Sequence, residues 1–302
     1  MHRLRFLSLM LALGVAAWSV TQTAAASSES RPTADLATQR VLVSEVEWGP
    51  LNPARGDKGP QAGTLWGDRT AAGPSGFLVD FAEGFSSPPH VHNVAYRGVV
   101  IRGLVHNDDP GAEPQWMPAG SFWTQPAGAV HITAAKAARN LAYIEIEDGP
   151  YLVHPTVQAF DDGERPVNVD PSNIVWLDAS SVTWVDRSEI LVPDAGPELA
   201  FLWGRPQDDR PSGTLVRLPA GFRGELRSHG STLRVVQIQG HFEHQAPHET
   251  DFESLRPGSY FGSQGEGAHR LSCQATEACV LYVRTTGRFD LVPGDHRTQE
   301  MK

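Results

Sequence analysis

Basic charge is in short supply: 25 lysines and arginines stand against 35 aspartates and glutamates, for a formal net charge of −10. A chain with that balance has little with which to neutralise phosphates, which makes nucleic acid and anionic membrane poor partners. Cysteine is nearly absent. The two present, Cys273 and Cys279, flank a QATEA loop and form no CxxC pair, which removes thiol redox chemistry. They are expected either to staple a hairpin between LSC and CVLYV, as an oxidising compartment allows, or to be two small buried residues without a bond. Long apolar runs are also missing. The exception, FLSLMLALGVAAWSV near the start, is too short and wrongly flanked for a membrane span.

That exception reads as the centre of a secretory signal peptide over residues 1–26, between the basic MHRLR and the small-residue exit TQTAAASSES. Ala24 and Ala26 fit an AxA site, and no cysteine near the exit could carry a lipid. Cleavage after Ala26 removes Arg3 and Arg5, leaves the mature chain more acidic and free of the membrane, and places it in the periplasm or outside the cell. Residues 27–39 are polar and read as a loose arm. The remainder, about 275 residues, suffices for one large domain or two ordinary ones. The 29 glycines and 23 prolines of the full chain, scattered among short β-branched and aromatic runs, favour an all-β fold.

Histidine carries the chemistry. His90 and His92 in GFSSPPHVHNVAYRGVVIRG lie two apart, so on a strand both project from one face. His131 in GSFWTQPAGAVH follows Pro126 and Gly128, turn residues that bring a neighbouring strand back beside the pair. Three neutral imidazoles suit Fe, Zn, Cu or Ni and leave positions open for water or substrate. Tyr96 shares the strand parity of His90 and His92 and is a candidate catalytic residue; its plainer role is core packing with a satisfied hydroxyl.

The frames around these histidines resemble the two cupin motifs. Gly84, His90, His92, position 96 and Gly103 stand at the spacing of the first; Gly120, Pro126, Gly128 and His131 at that of the second. The chain departs from the pattern at Tyr96, where cupins usually carry a glutamate ligand, and at Ala135, near which an asparagine is usual. The resemblance implies two things. The fold would be built of double-stranded β-helix (jelly-roll) barrels. The nearest chemistry would be that of cupins with three histidines and no glutamate, such as the diketone-cleaving dioxygenases. One divalent transition metal is then expected, iron first and zinc next, acting on a small-molecule substrate. Fe(II) dioxygen chemistry, zinc hydrolysis and non-catalytic binding all stay open, and a homodimer is expected by analogy.

An internal repeat sets the domain plan. Residues 65–85, LWGDRTAAGPSGFLVDFAEGF, align with residues 202–222, LWGRPQDDRPSGTLVRLPAGF, at an offset of 137, with ten of 21 positions identical. Gly103 then matches Gly240, and with one inserted residue Gly120 matches Gly258 and His131 matches His269. Two tandem cupin barrels are predicted: 40–160 with the metal site and 161–302 with a degenerate one, joined through 156–172. In the second copy Arg227, His229, Leu233 and His269 fall at the positions of His90, His92, Tyr96 and His131. Arginine cannot ligate, so that barrel reads as structural or anion-binding. His241, His244 and His248 read as solvated loop histidines, and so do His106, Asp108 and Asp109 unless they rim the mouth of the first site.

A carboxylate replacing the missing glutamate is sought in AYIEIEDG. Matching Tyr143 with Leu281 and Glu145 with Val283 turns Tyr143 and Glu145 into the first barrel, which makes Glu145 a second candidate catalytic residue. The opposite orientation, with Ile144 and Ile146 inward and the glutamates solvated, is equally open.

Overall fold

The computed structural model describes residues 38–182, 196–206, 209–230 and 232–294. The expected signal peptide and most of the expected arm lie outside these. Strands dominate, and the helices among the described residues are 3-10 turns.

Two seven-stranded antiparallel sheets organise the molecule. The first runs in the order Val167–Val169, Phe122–Gln125, Tyr96–Arg102, Asn140–Ile146, Ser75–Phe81, Gln61–Trp66 and Trp48–Pro50. Two ribbons complete its barrel: His90–His92 with Val153–Pro155, and Val105–Asp108 with Ile132–Ala135. The second runs Gln39–Val41, Tyr260–Gln264, Thr232–Gln239, Cys279–Thr285, Ser212–Leu218, Glu198–Trp203 and Leu177–Asp178. A five-stranded sheet completes that barrel, from Glu253–Leu255 through Phe242–Gln245, Gly267–Cys273 and Arg223–Ser228 to Phe289–Pro293. The architecture is all-β, two tandem double-stranded β-helix barrels.

Strand pairing crosses the expected boundary twice. Gln39–Val41, expected at the junction of arm and first barrel, pairs with Tyr260–Gln264 on the edge of the second. Val167–Val169, expected in the joining segment and the second half, pairs with Phe122–Gln125 of the first. Cys273 and Cys279 are bonded, with Cα atoms 6.0 Å apart. Their strands are consecutive but lie in different sheets, so the bond ties the two sheets of the second barrel rather than stapling a hairpin.

Three apolar clusters share the core. One fills the second barrel, one lies inside the first, and the third sits between them, built from the outward faces of both large sheets. The strand Asn140–Ile146 shows why the orientation of Glu145 is hard to read: all seven residues are buried, because one face meets the barrel interior and the other meets the neighbouring barrel. Ala142, Ile144 and Ile146 point inward; Leu141 and Tyr143 point to the interface.

Candidate metal centre

Backbone pairing brings the three histidines together. His90 and His131 face each other across antiparallel chains, with His90 N–H donating to His131 O at 3.1 Å and the reverse bond at 3.0 Å. Gly128 ties the second loop to the first: its N–H donates to His92 O at 2.8 Å. Its φ of 72° is a left-handed value that glycine adopts without penalty, and a Cβ there would come within 2.5 Å of Phe160. The chosen ligand atoms of His90, His92 and His131 all lie within 4.8 Å of one another.

Hydrogen positions follow from the partners. Each Nδ1 meets a backbone carbonyl, which can only accept: Pro88 O for His90 at 2.9 Å, Leu152 O for His92 at 2.9 Å, and Ala129 O for His131 at 3.0 Å. Each neutral ring therefore carries its proton on Nδ1 and offers an Nε2 lone pair. His90 Nε2 and His92 Nε2 are 3.2 Å apart, so two lone pairs confront each other. That arrangement is repulsive unless a cation or a shared proton sits at the centre. Protonation is strongly opposed. Burial holds His131 down to about 3, aided by the neighbouring His90, and holds His90 and His92 below the ordinary 6.5. The donor set thus fits a divalent transition metal: neutral, with its orientation preset by the carbonyls.

Tyr96 belongs to this site. Its hydroxyl donates to Asn107 Oδ1 at 2.8 Å and lies 3.3 Å from His131 Nε2, and burial raises its pKa, so it stays a neutral phenol. Asn107 is a hub: its Oδ1 also accepts from Thr133 Oγ1 at 2.7 Å, and its Nδ2 donates to Gln125 Oε1 at 2.9 Å. Tyr151 was not singled out in the sequence. It stacks on His92 with ring centroids 4.2 Å apart, and its hydroxyl reaches His92 Nε2 at 3.0 Å. No spacing pattern marks it; the one cue is an aromatic residue just after the Gly149-Pro150 turn. A cavity of about 360 Å³ opens beside the histidines, walled by Val79, Phe81, Trp123 and Ile144, with Arg55 at its mouth. Gly98 leaves the room that the Trp123 indole takes, 2.2 Å from where a Cβ would stand.

Glu145 is elsewhere, which corrects its placement in the sequence. It is buried between the barrels, accepting from Tyr143 Oη at 3.0 Å and Tyr282 Oη at 2.6 Å, with Arg284 Nη1 at 3.5 Å. It is neither inside the first barrel nor solvated.

The second barrel needs a similar correction. Leu226, not Arg227, pairs with His269 as His90 pairs with His131, so Leu226 and Ser228 stand at the positions of His90 and His92. Arg227 turns out to Glu225 and His229 meets Asp290. Leu233 faces Ser263 as Tyr96 faces Gln125, and Leu271 faces His244 as Thr133 faces Asn107. Burying these three leucines contributes about 2 kcal/mol each. His244, expected in a solvated loop, is fully buried and 2.9 Å from His269 Nδ1, whereas His241 pairs with Glu277 and His248 is exposed. His106 is buried beside Trp116, away from the mouth, while Asp109 is exposed.

A family model described as "Domain of unknown function (DUF4437)" matches residues 39–292. No curated protein matches the sequence. Among solved structures, a "putative dioxygenase" from Nostoc punctiforme is 13% identical with a TM-score of 0.57, each chain covered over 82%. AerE from Microcystis aeruginosa is 9% identical with a TM-score of 0.51, covering 80% of this chain and 96% of its own. An oxalate decarboxylase from Lactobacillus farciminis is 14% identical with a TM-score of 0.49, covering 82% and 86%. At such identities the likeness is one of fold.

Proposed function

The chain belongs to the DUF4437 family, and from that premise we propose that it is a metal-dependent bicupin enzyme with Fe(II) dioxygenase-like chemistry on a small carbonyl or enol compound. The observation that carries this reading is the convergence of three Nε2 lone pairs, each fixed by a carbonyl on its own Nδ1. A metal held by His90, His92 and His131 would supply Lewis-acid polarisation of a substrate oxygen and, if iron, access to dioxygen.

The chain's own groups do the rest. The apolar walls exclude water and take the body of the substrate. Tyr151 Oη, within reach of His92 Nε2, can hydrogen-bond a substrate oxygen once that lone pair is engaged. Tyr96 is held by Asn107 and stays a neutral neighbour of His131, filling the place of the usual carboxylate without its charge. A periplasmic or secreted location is part of the proposal; the Cys273–Cys279 bond and the basic-apolar start support it.

Elemental analysis of the full chain purified from its own compartment tests the reading. Stoichiometric iron that is lost in His92→Ala and His131→Ala is expected, together with oxygen uptake on diketones under Fe(II). Zinc with no oxygen uptake would move the reading to the hydrolase, which uses the same donor set. Protein that takes up no transition metal would end both.

A further inference from the structure

The charges around the cavity do not balance, and this identifies the kind of molecule that fills it. Two of the histidines, Tyr96, Tyr151 and a wall of apolar side chains make up most of the lining of the cavity. Arg55 is the one side chain with a permanent charge among the described residues lining the cavity, and no carboxylate is found among them. Arg55 is exposed, and its side chain makes no hydrogen bond or ion pair with another described side chain. A dication at the histidines would therefore share an apolar space with a guanidinium and no compensating anion among the described lining residues, inside a chain whose net charge is −10.

We infer that the substrate supplies the missing charge: a carboxylate-bearing small molecule with an aryl or branched-alkyl body, its carboxylate anchored by Arg55 and its body against Val79, Phe81 and Trp123. Arginine suits this role because its planar fork binds carboxylates in a bidentate manner. The cavity, about 360 Å³, lies at the small end of the range for small-molecule sites. The inference rests on the functional reading above, since it takes the histidine centre as the reacting end.

The test is calorimetric and uses the full chain, both metal-free and zinc-loaded, with 3-phenylpropanoate and its neutral isostere 3-phenylpropanamide as probes. Wild type should bind the carboxylate more tightly than the amide by about tenfold or more, the usual worth of a charge-assisted hydrogen bond. Arg55→Gln should erase that preference and Arg55→Lys should keep part of it. Equal binding of the two probes by wild type, binding of neither, or an unchanged preference in Arg55→Gln overturns the inference. A separate zinc titration of wild type against His131→Ala judges the metal reading. If zinc fails to bind, that reading falls, while the metal-free comparison still decides the role of Arg55.

Discussion

Tyr151 shows how a single side chain can answer to a ligand. In the structure its hydroxyl donates to the lone pair of His92 that a metal would take, so phenol and metal compete for one atom. Tyr151→Phe should then bind zinc at least as tightly as wild type in a competition titration, and slow turnover if the hydroxyl positions substrate. A loss of metal affinity of about tenfold or more, roughly 1.4 kcal/mol, would show instead that the ring's stacking on His92 is held by the hydroxyl. The histidines themselves were legible from spacing, because strand parity and the following glycine turn leave few ways to arrange them. Tyr151, Asn107 and Arg55 were not legible: each enters the site from a separate loop or strand, and only the closed barrel brings them there.

At the level of strands, two sequence readings failed for one reason. Arg227 was matched with His90, and Glu145 with Val283; in the structure the counterpart of His90 lies one residue earlier and that of Glu145 one residue later, at Arg284. A slip of one residue reverses every side chain of a strand, so a repeat that is right to within one position is still wrong about which way a residue faces. The correct match explains the second barrel, where leucines close the space and leave His244, His269 and Ser263 as a sealed polar chain. Burial holds His244 down to about 2, with His269 and Arg40 adding to it, and His269 to about 4 against a small opposing pull from Glu249. Unfolding returns both to the ordinary 6.5, so the unfolded chain binds more protons below that pH and stability falls. The loss should begin near pH 6.5 and run to about pH 4 for His269 and about pH 2 for His244. Each contributes a slope of about 1 kcal/mol per pH unit. Denaturant unfolding at pH 7 and pH 5 measures it, and His244→Asn, which copies Asn107, should flatten the dependence; an identical slope in that variant would refute the assignment.

Across the whole molecule, the two barrels meet through matching positions filled by opposite charges. Trp66 donates to Tyr143 and Trp203 to Tyr282, both tyrosines donate to Glu145, and Arg284 adds a bidentate pair with Glu147. Arg97 lies over Trp203 and Arg234 over Trp66, each 3.7 Å and 4.1 Å from the ring centroid. Removing the carboxylate with Glu145→Ala strands two buried phenols and part of a guanidinium, and should cost about 3 kcal/mol or more in unfolding free energy. Zinc affinity should stay at the wild-type value, since the residue lies outside the histidine site. Loss of metal without loss of stability would restore Glu145 to the centre. The duplicated plan itself was plain in the sequence, from the repeated LWG and PSG runs. The exchange of edge strands was not, because Gln39–Val41 and Val167–Val169 are too short to announce a partner. That exchange also sets an order of events. The first described strand to leave the ribosome has its hydrogen-bonding edge at Tyr260–Gln264, near the other end of the chain. Until Tyr260–Gln264 has been made, Gln39–Val41 has no edge to join, and the second barrel gains its border from a strand that precedes the whole of the first.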